Sequence, residues 1–189
     1  CTKLEKVNYT NPWVLCSNTT DMFRGCSKLT SIPPITFLCV SGGNRNSISS
    51  MYAGCTVLPE VDIYINYVDD TAFYVSNSFN GCKALAKLKV NLDLSNVASA
   101  THLTTIFANC ISLVDFETTG SIAGDNTFSS ATLTVSASPV FNISLMLQRW
   151  AVNPSGKTRI IKLHADVYNA LTEDDLALAT EKNYTLASA

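Results

Sequence analysis

The stretch MFRGCSKLTSI, Met22 to Ile32, recurs along this chain. It returns as MYAGCTVLPEV from Met51, as SFNGCKALAKL from Ser78 and as IFANCISLVDF from Ile106. Each copy carries an aromatic residue, two spacers of which the second is Gly or Asn, a Cys, two more spacers and a Leu. An apolar residue follows three positions later. The opening residues CTKLEKV are the second half of the same unit. The repeat cysteines are therefore Cys1, Cys26, Cys55, Cys82 and Cys110, separated by 25, 29, 27 and 28 residues. Self-similarity at this period marks stacked repeats.

Read by columns, the unit explains itself. Three residues after each Cys stand Leu4, Leu29, Leu58, Leu85 and Leu113; six after stand Val7, Ile32, Val61, Leu88 and Phe116. Three before stand Phe23, Tyr52, Phe79 and Phe107. One repeat cannot bury these side chains alone, whereas stacked copies make a continuous core. The cysteines then form an inward ladder of small, weakly polar groups, expected to be reduced and buried. The Gly or Asn before each Cys tolerates positive φ, which suits a tight turn into a strand.

After the Leu the chain alternates, as in Leu-Pro-Glu-Val-Asp-Ile from Leu58 and Leu-Ala-Lys-Leu-Lys-Val from Leu85. Period two predicts a short strand with one face inward. The outward column five after Cys reads Lys6, Ser31, Glu60, Lys87, Asp115, and the column seven after reads Asn8, Pro33, Asp62, Lys89, Glu117. If neighbouring units pair as parallel strands in this register, Glu60, Lys87 and Asp115 form one ladder of alternating sign. Asp62, Lys89 and Glu117 form a second. Opposite charges across a strand pair help by about 0.2–1 kcal/mol each and like charges oppose pairing.

The motif MF-x-G-C-x-x-L-x-x-I/V over roughly residues 1–120 resembles the BspA-type leucine-rich repeat family, found in surface proteins of gut bacteria and related phage proteins. Ser78 and Ile106 depart from it where Met22 and Met51 match. The resemblance implies an α/β solenoid: a leucine-rich-repeat-like parallel β-sheet, short helical turns on the opposite side, and no enzymatic activity. The expected division is residues 1–140 as repeats and 141–189 as an α+β C-terminal cap. In that tail NISLMLQRWAV predicts a short helix and TRIIKLH a strand. HADVYNALTEDDLALATEKN predicts one or two helices with Thr172 as N-cap, and YTLAS a last strand. TLTV, before the tail, also reads as a strand. Similar tails, with a strand ending Leu-His and a helix around Leu-Thr-Glu-Asp-Asp, close BspA-like arrays.

AVNPSGKT, Ala151 to Thr158, fits the loose pattern of a nucleotide-binding P-loop. A P-loop leads from a strand to a helix N-terminus, whose N–H groups hold the phosphates. Here the predicted order is helix, loop, strand, and Pro154 removes one N–H. The stretch reads as a turn with Lys157 exposed.

Other chemistry is thin. The 189 residues are 47% apolar and 15% charged with net charge −2 and no basic cluster, which argues against a nucleic-acid binder. No apolar run approaches the roughly 18 residues of a membrane span, and no cofactor or metal is expected. His102 and His164 are the only histidines, and no further pattern completes a catalytic zinc set around them. Cys16 and Cys39 fall outside the repeat column and read as packing residues.

The expectation is a non-catalytic binding or display module, on a cell surface or secreted, or on a phage virion, recognising a protein or glycan of a host or neighbouring cell. The alternative is a structural spacer that positions a neighbouring domain. The candidate surface is the exposed sheet face with Glu60, Asp62, Tyr64, Lys87, Lys89, Asp115 and Glu117; its charges could equally serve only strand register. Because Leu4 and Val7 hold the same offsets from Cys1 as Leu29 and Ile32 from Cys26, Cys1 reads as an internal repeat cysteine. An N-terminal extension or another chain is expected to cover the first unit.

Overall fold

The computed structural model describes residues 1–8, 13–16, 18–39, 46–66, 73–91, 101–117, 130–150, 152 and 156–189. The chain is mixed α/β, built on parallel sheets with no closed barrel. The largest sheet has five strands: β1 (Trp13–Cys16), β2 (Ile35–Leu38), β4 (Glu60–Asn66), β6 (Lys87–Val90) and β7 (Asp115–Glu117), side by side in that order. The chain crosses from β2 to β4 through β3 (Asn46–Ser47), from β4 to β6 through β5 (Phe73–Tyr74) and from β6 to β7 through α1 (His102–Thr105), and β3 and β5 pair in a second, small parallel sheet.

The turn before each cysteine forms as its residue types dictate. Gly25, Gly54, Gly81 and Asn109 hold φ of +70°, +77°, +76° and +61°. Asp21, Ser50 and Asn77, four positions earlier in their units, form a second positive-φ column. That second column explains a difference from expectation. Among the described residues the segment opposite the sheet is a run of hydrogen-bonded turns in the second, third and fourth units, and the fifth holds a helix, α1. A left-handed residue inside the segment stops a right-handed helix from propagating.

The core repeats from unit to unit. Phe23, Tyr52, Phe79 and Phe107 stack at centroid distances of 5.6, 5.5 and 5.9 Å, with ring planes within 22° of parallel. Cys26, Cys55, Cys82 and Cys110 are buried and free, as are the leucines three residues on. The Phe23, Tyr52 and Phe79 carbonyls each accept twice: from the N–H of their own unit's cysteine, as Phe23 O does from Cys26, and from the next unit's thiol. The Cys55, Cys82 and Cys110 thiols donate to Phe23 O, Tyr52 O and Phe79 O at 3.2, 3.1 and 3.0 Å. Cys1 departs from the column: it is exposed, and Leu4 and Val7 are half-buried, since only one side of the first unit has a described neighbour.

The expected columns also shift in the second unit. Ile35, nine residues after Cys26, pairs with Ile63, eight after Cys55. Pro33 and Pro34 have no N–H to give a ladder, so pairing begins only at Ile35 and one extra residue is taken up before it. Ile32 is consequently half-buried, unlike Val61, Leu88 and Phe116, and Ser31 bridges Lys6.

The tail folds as β8 (Ser130–Val135), α2 (Ile143–Arg149), β9 (Thr158–Leu163), α3 (Ala165–Asn169), α4 (Glu173–Glu181) and β10 (Thr185–Ser188). β8, β9 and β10 form a parallel three-stranded sheet with β9 central. This sheet takes β8 from before residue 141 and β9 and β10 from after it. Thr172 caps α4 in a full capping box with Asp175. The aromatic column carries on into the tail through Phe107–Phe116, Phe116–Trp150 and Trp150–Tyr184, at 5.1, 5.9 and 5.6 Å. Its rings turn from stacked to edge-on or tilted, and Trp150 is 2% exposed against the last repeat.

Between repeats and tail lies a sixth, altered unit that the sequence pattern hides. Ser138 follows Cys110 by the same 28 residues that separate Cys82 and Cys110. Val135 stands three before it and Phe141 three after, and all three are buried. Its N–H donates to Val135 O at 3.2 Å, as each repeat cysteine's donates to its aromatic carbonyl. Its hydroxyl donates to Leu113 O at 2.7 Å. Asn142 N–H then donates to Val114 O at 2.9 Å, as Val114 does to Ala86 O at 2.9 Å. Where the earlier units enter a strand, this one enters α2.

Candidate functional site

Strand alternation sends Glu60, Asp62 and Tyr64 outward from β4, Lys87 and Lys89 from β6, and Asp115 and Glu117 from β7, while Val61, Ile63, Leu88, Val90 and Phe116 point into the core. The register is the expected one: Glu60 opposite Lys87 opposite Asp115, and Asp62 opposite Lys89 opposite Glu117. All seven candidate residues therefore share one face. Glu60, Tyr64, Lys87 and Lys89 are exposed; Asp62, Asp115 and Glu117 are half-buried. Among the described residues the ladder charges do not close on each other within 4 Å, so they face one another across solvent.

One direct ion pair does reach this face, and sequence reading missed it. Arg149, in the last turn of α2, places Nη1 2.7 Å and 2.9 Å from the two Asp115 carboxylate oxygens. That hydrogen bond raises the guanidinium pKa, so the arginine stays charged. The first ladder thus runs Glu60, Lys87, Asp115, Arg149, with alternating sign to its end. The two partners lie 34 residues apart, and no local pattern signals their meeting.

The face is concave in two adjoining places. One hollow of about 280 Å³ is walled by Pro34, Glu60, Asp62, Lys87, Lys89 and Asp115. The other, of about 460 Å³, surrounds Tyr64 with Pro34, Thr36, Asp62, Lys89 and Asn91. Tyr64 is 56% exposed and pairs in register with Thr36. On its other side the Asn91 amide turns to the β4 backbone, accepting from Ile65 N–H and donating 2.6 Å to Ile65 O. The amide stands in for strand backbone where β6 ends. Among the described residues no other ring packs on Tyr64.

The remaining chemistry-bearing residues are engaged elsewhere. His164 caps α3, its Nδ1 accepting from Asp166 N–H at 3.2 Å. His102 is half-buried in α1 with its ring 5.7 Å from Tyr74, and burial lowers its pKa. Cys39 is buried; of Cys16 the backbone alone is described, in β1. Burial pushes the Cys55 and Cys110 thiols up to about 12 and raises Cys82 as well, so at neutral pH these are thiols, not nucleophilic thiolates. Among the described residues no three His, Cys, Asp or Glu side chains are grouped to hold a metal ion, and no helix is long and apolar enough to cross a membrane.

The Gly-Lys-Thr stretch lies in the order expected of a turn: α2 ends at Arg149, Gly156 takes φ +78°, and β9 starts at Thr158. Asn153, Pro154 and Ser155 lie outside the described residues. Lys157 is half-buried and not, as the sequence suggests, fully exposed, because it abuts the start of a paired strand. A strand and not a helix follows Lys157, so the helix N-terminus that holds phosphate in a P-loop is missing there.

No family model, curated protein or solved structure matches this chain.

Proposed function

We propose that this chain is a non-catalytic repeat solenoid of the BspA-like leucine-rich class, with a C-terminal cap, whose charged sheet face is a binding or display surface. The observation that carries the reading is the division of labour between the two sides of the sheet. Every repeat cysteine from Cys26 on is spent in the core, while the outward positions set Glu60, Asp62, Lys87, Lys89, Asp115 and Glu117 around two adjoining hollows. Extended, regular, concave surfaces of this sort suit recognition of proteins or glycans. The proposed location is a cell surface, the secreted milieu or a phage virion, as the repeat resemblance implies.

A second reading has one observation in its favour. Among the described side chains of this sheet only one large apolar group is left exposed, so the face lacks the contiguous apolar patch that marks many interaction sites. A spacer whose charges only hold strand register would look similar. The two readings separate in a cell-binding experiment with the fluorescently labelled chain. A recognition module binds saturably to some bacterial or host cells and loses that binding in the double variant Lys87→Glu, Lys89→Glu. A spacer binds none, with the same folded stability.

A further inference from the structure

Resting on the reading of the sheet face as a recognition surface, we propose that its occupant is a neutral glycan, with one sugar ring stacked on Tyr64. An aromatic side chain in mid-sheet normally buries its faces against cross-strand neighbours. Tyr64 does not. Thr36 on one side is too short to cover a ring, and Asn91 on the other has its amide turned to the Ile65 backbone. The ring is left 56% exposed on the floor of a hollow of about 460 Å³, within the ~300–1,000 Å³ of small-ligand sites.

The hollow's chemistry selects among occupants. A protein partner wants several aromatic or apolar anchors in a charge-depleted centre, and this face offers one anchor among charges. An extended peptide wants a free strand edge, but β4 is flanked on both sides, by β2 along Ile63–Asn66 and by β6 along Glu60–Ile63, with the Asn91 amide taking up Ile65 beyond the end of β6. A sugar ring needs neither. Its C–H face lies on the aromatic ring, and its hydroxyls find an acceptor in the half-buried Asp62 carboxylate and a donor in the Lys89 ammonium, both of which wall the same hollow. The four carboxylates of the face stand against Lys87, Lys89 and Arg149, so the field is nearly balanced and exerts little pull on a strongly charged polymer. The neighbouring hollow around Glu60 and Lys87 gives room for a second residue of the chain along the sheet.

The test is titration calorimetry of the full chain against neutral tetrasaccharides of glucose, galactose, mannose, xylose and N-acetylglucosamine. At least one binds, with affinity changing less than about twofold between 50 and 300 mM salt. Tyr64→Ala weakens it by about tenfold or more, Tyr64→Phe by less than about threefold, since the ring and not the hydroxyl is the platform. Arg24→Ala, in an exposed turn, leaves it unchanged. Failure of all five sugars to bind, or binding that Tyr64→Ala leaves intact, overturns the glycan assignment. If cell binding then persists and is lost in Lys87→Glu, Lys89→Glu but not in Tyr64→Ala, the face recognises a protein and the broader reading stands. If no cell binding exists either, both fall.

Discussion

Arg149 and Asp115 join the tail to the last strand of the repeats, with Nη1 of the arginine 2.7 Å from the carboxylate of the aspartate. Both groups keep some solvent exposure, at 36% and 17% of their side-chain surface. Exposed pairs contribute about 0.2–1 kcal/mol. We expect Arg149→Ala and Asp115→Ala each to lower unfolding stability by no more than about 1 kcal/mol. A double-mutant cycle should give a coupling inside that range, shrinking in 1 M salt. A coupling near zero at low salt would mean the contact adds nothing and the tail is held by Trp150 packing and the bonds of Ser138 and Asn142 to the last repeat.

Gly54 tests the turn column. A Cβ built there would meet nothing closer than Gly25 Cα at 3.6 Å, an ordinary contact. The difficulty is therefore φ of +77° and not space. Left-handed backbone costs an L-residue roughly 1–2 kcal/mol, with Asn among the exceptions. Gly54→Ala should destabilise by about that much, and Gly54→Asn by less than half of it, as Asn109 already fills the same place in the fifth unit. Equal losses for the two would show that side-chain bulk matters after all.

How much of this was legible depended on whether the deciding signal was local. The turn column was, because the Gly or Asn before each Cys is an intrinsic backbone preference. So was the register of Glu60, Lys87 and Asp115, where alternation and charge sign point to one pairing. The slip at Pro33 and Pro34 was not, since where a ladder resumes depends on the neighbouring strand. The sixth unit was masked by its chemistry: Ser138 replaces a thiol with a hydroxyl and the strand with a helix, though the 28-residue spacing and the flanking Val135 and Phe141 were there to be found. Exposure of Cys1 and the meeting of Arg149 with Asp115 are tertiary facts with no sequence signature.

Asp175 is the polar anchor between α2 and α4. It accepts from Thr172 N–H at 3.0 Å, from the Thr172 hydroxyl at 2.7 Å and from the Ser144 hydroxyl. Burial works to raise its pKa, but the hydrogen bonds from Ser144 and Thr172 outweigh it and the net direction is down. A depressed carboxyl contributes stability that is present above the ordinary aspartate value of about 4 and lost as pH falls through the folded value. Asp175→Ala should cost about 1–2 kcal/mol at pH 7. It should also flatten the decline of the urea midpoint between pH 5 and 3. An unchanged acid profile in this variant would place the acid-sensitive group elsewhere.

The thiol ladder makes the sharpest prediction, on reactivity and on alkaline stability together. In native protein Cys1 should react at once with a thiol reagent, while Cys26, Cys55, Cys82 and Cys110 should wait for unfolding, since each is at most 1% exposed. Burial holds the Cys55 and Cys110 thiols up near 12, from an ordinary value of 9.0, and raises Cys82 too; Tyr184 is likewise raised to about 12 by burial. Above pH 9 the unfolded chain gives up these thiol protons while the folded chain keeps them. The folded state then binds more protons, so stability is full below pH 9 and falls as pH rises from 9 towards 12. Each thiol contributes a slope of roughly 1.4 kcal/mol per pH unit in that window. Cys82→Ala should lower stability at pH 7 by about 1–2 kcal/mol, through lost packing and the lost bond to Tyr52 O. It should also make the alkaline decline shallower by one thiol's share. Rapid native labelling of Cys55 or Cys82, or a urea midpoint level from pH 8.5 to 10.5, would show that the ladder is open to solvent and that the aromatic carbonyls do not hold it.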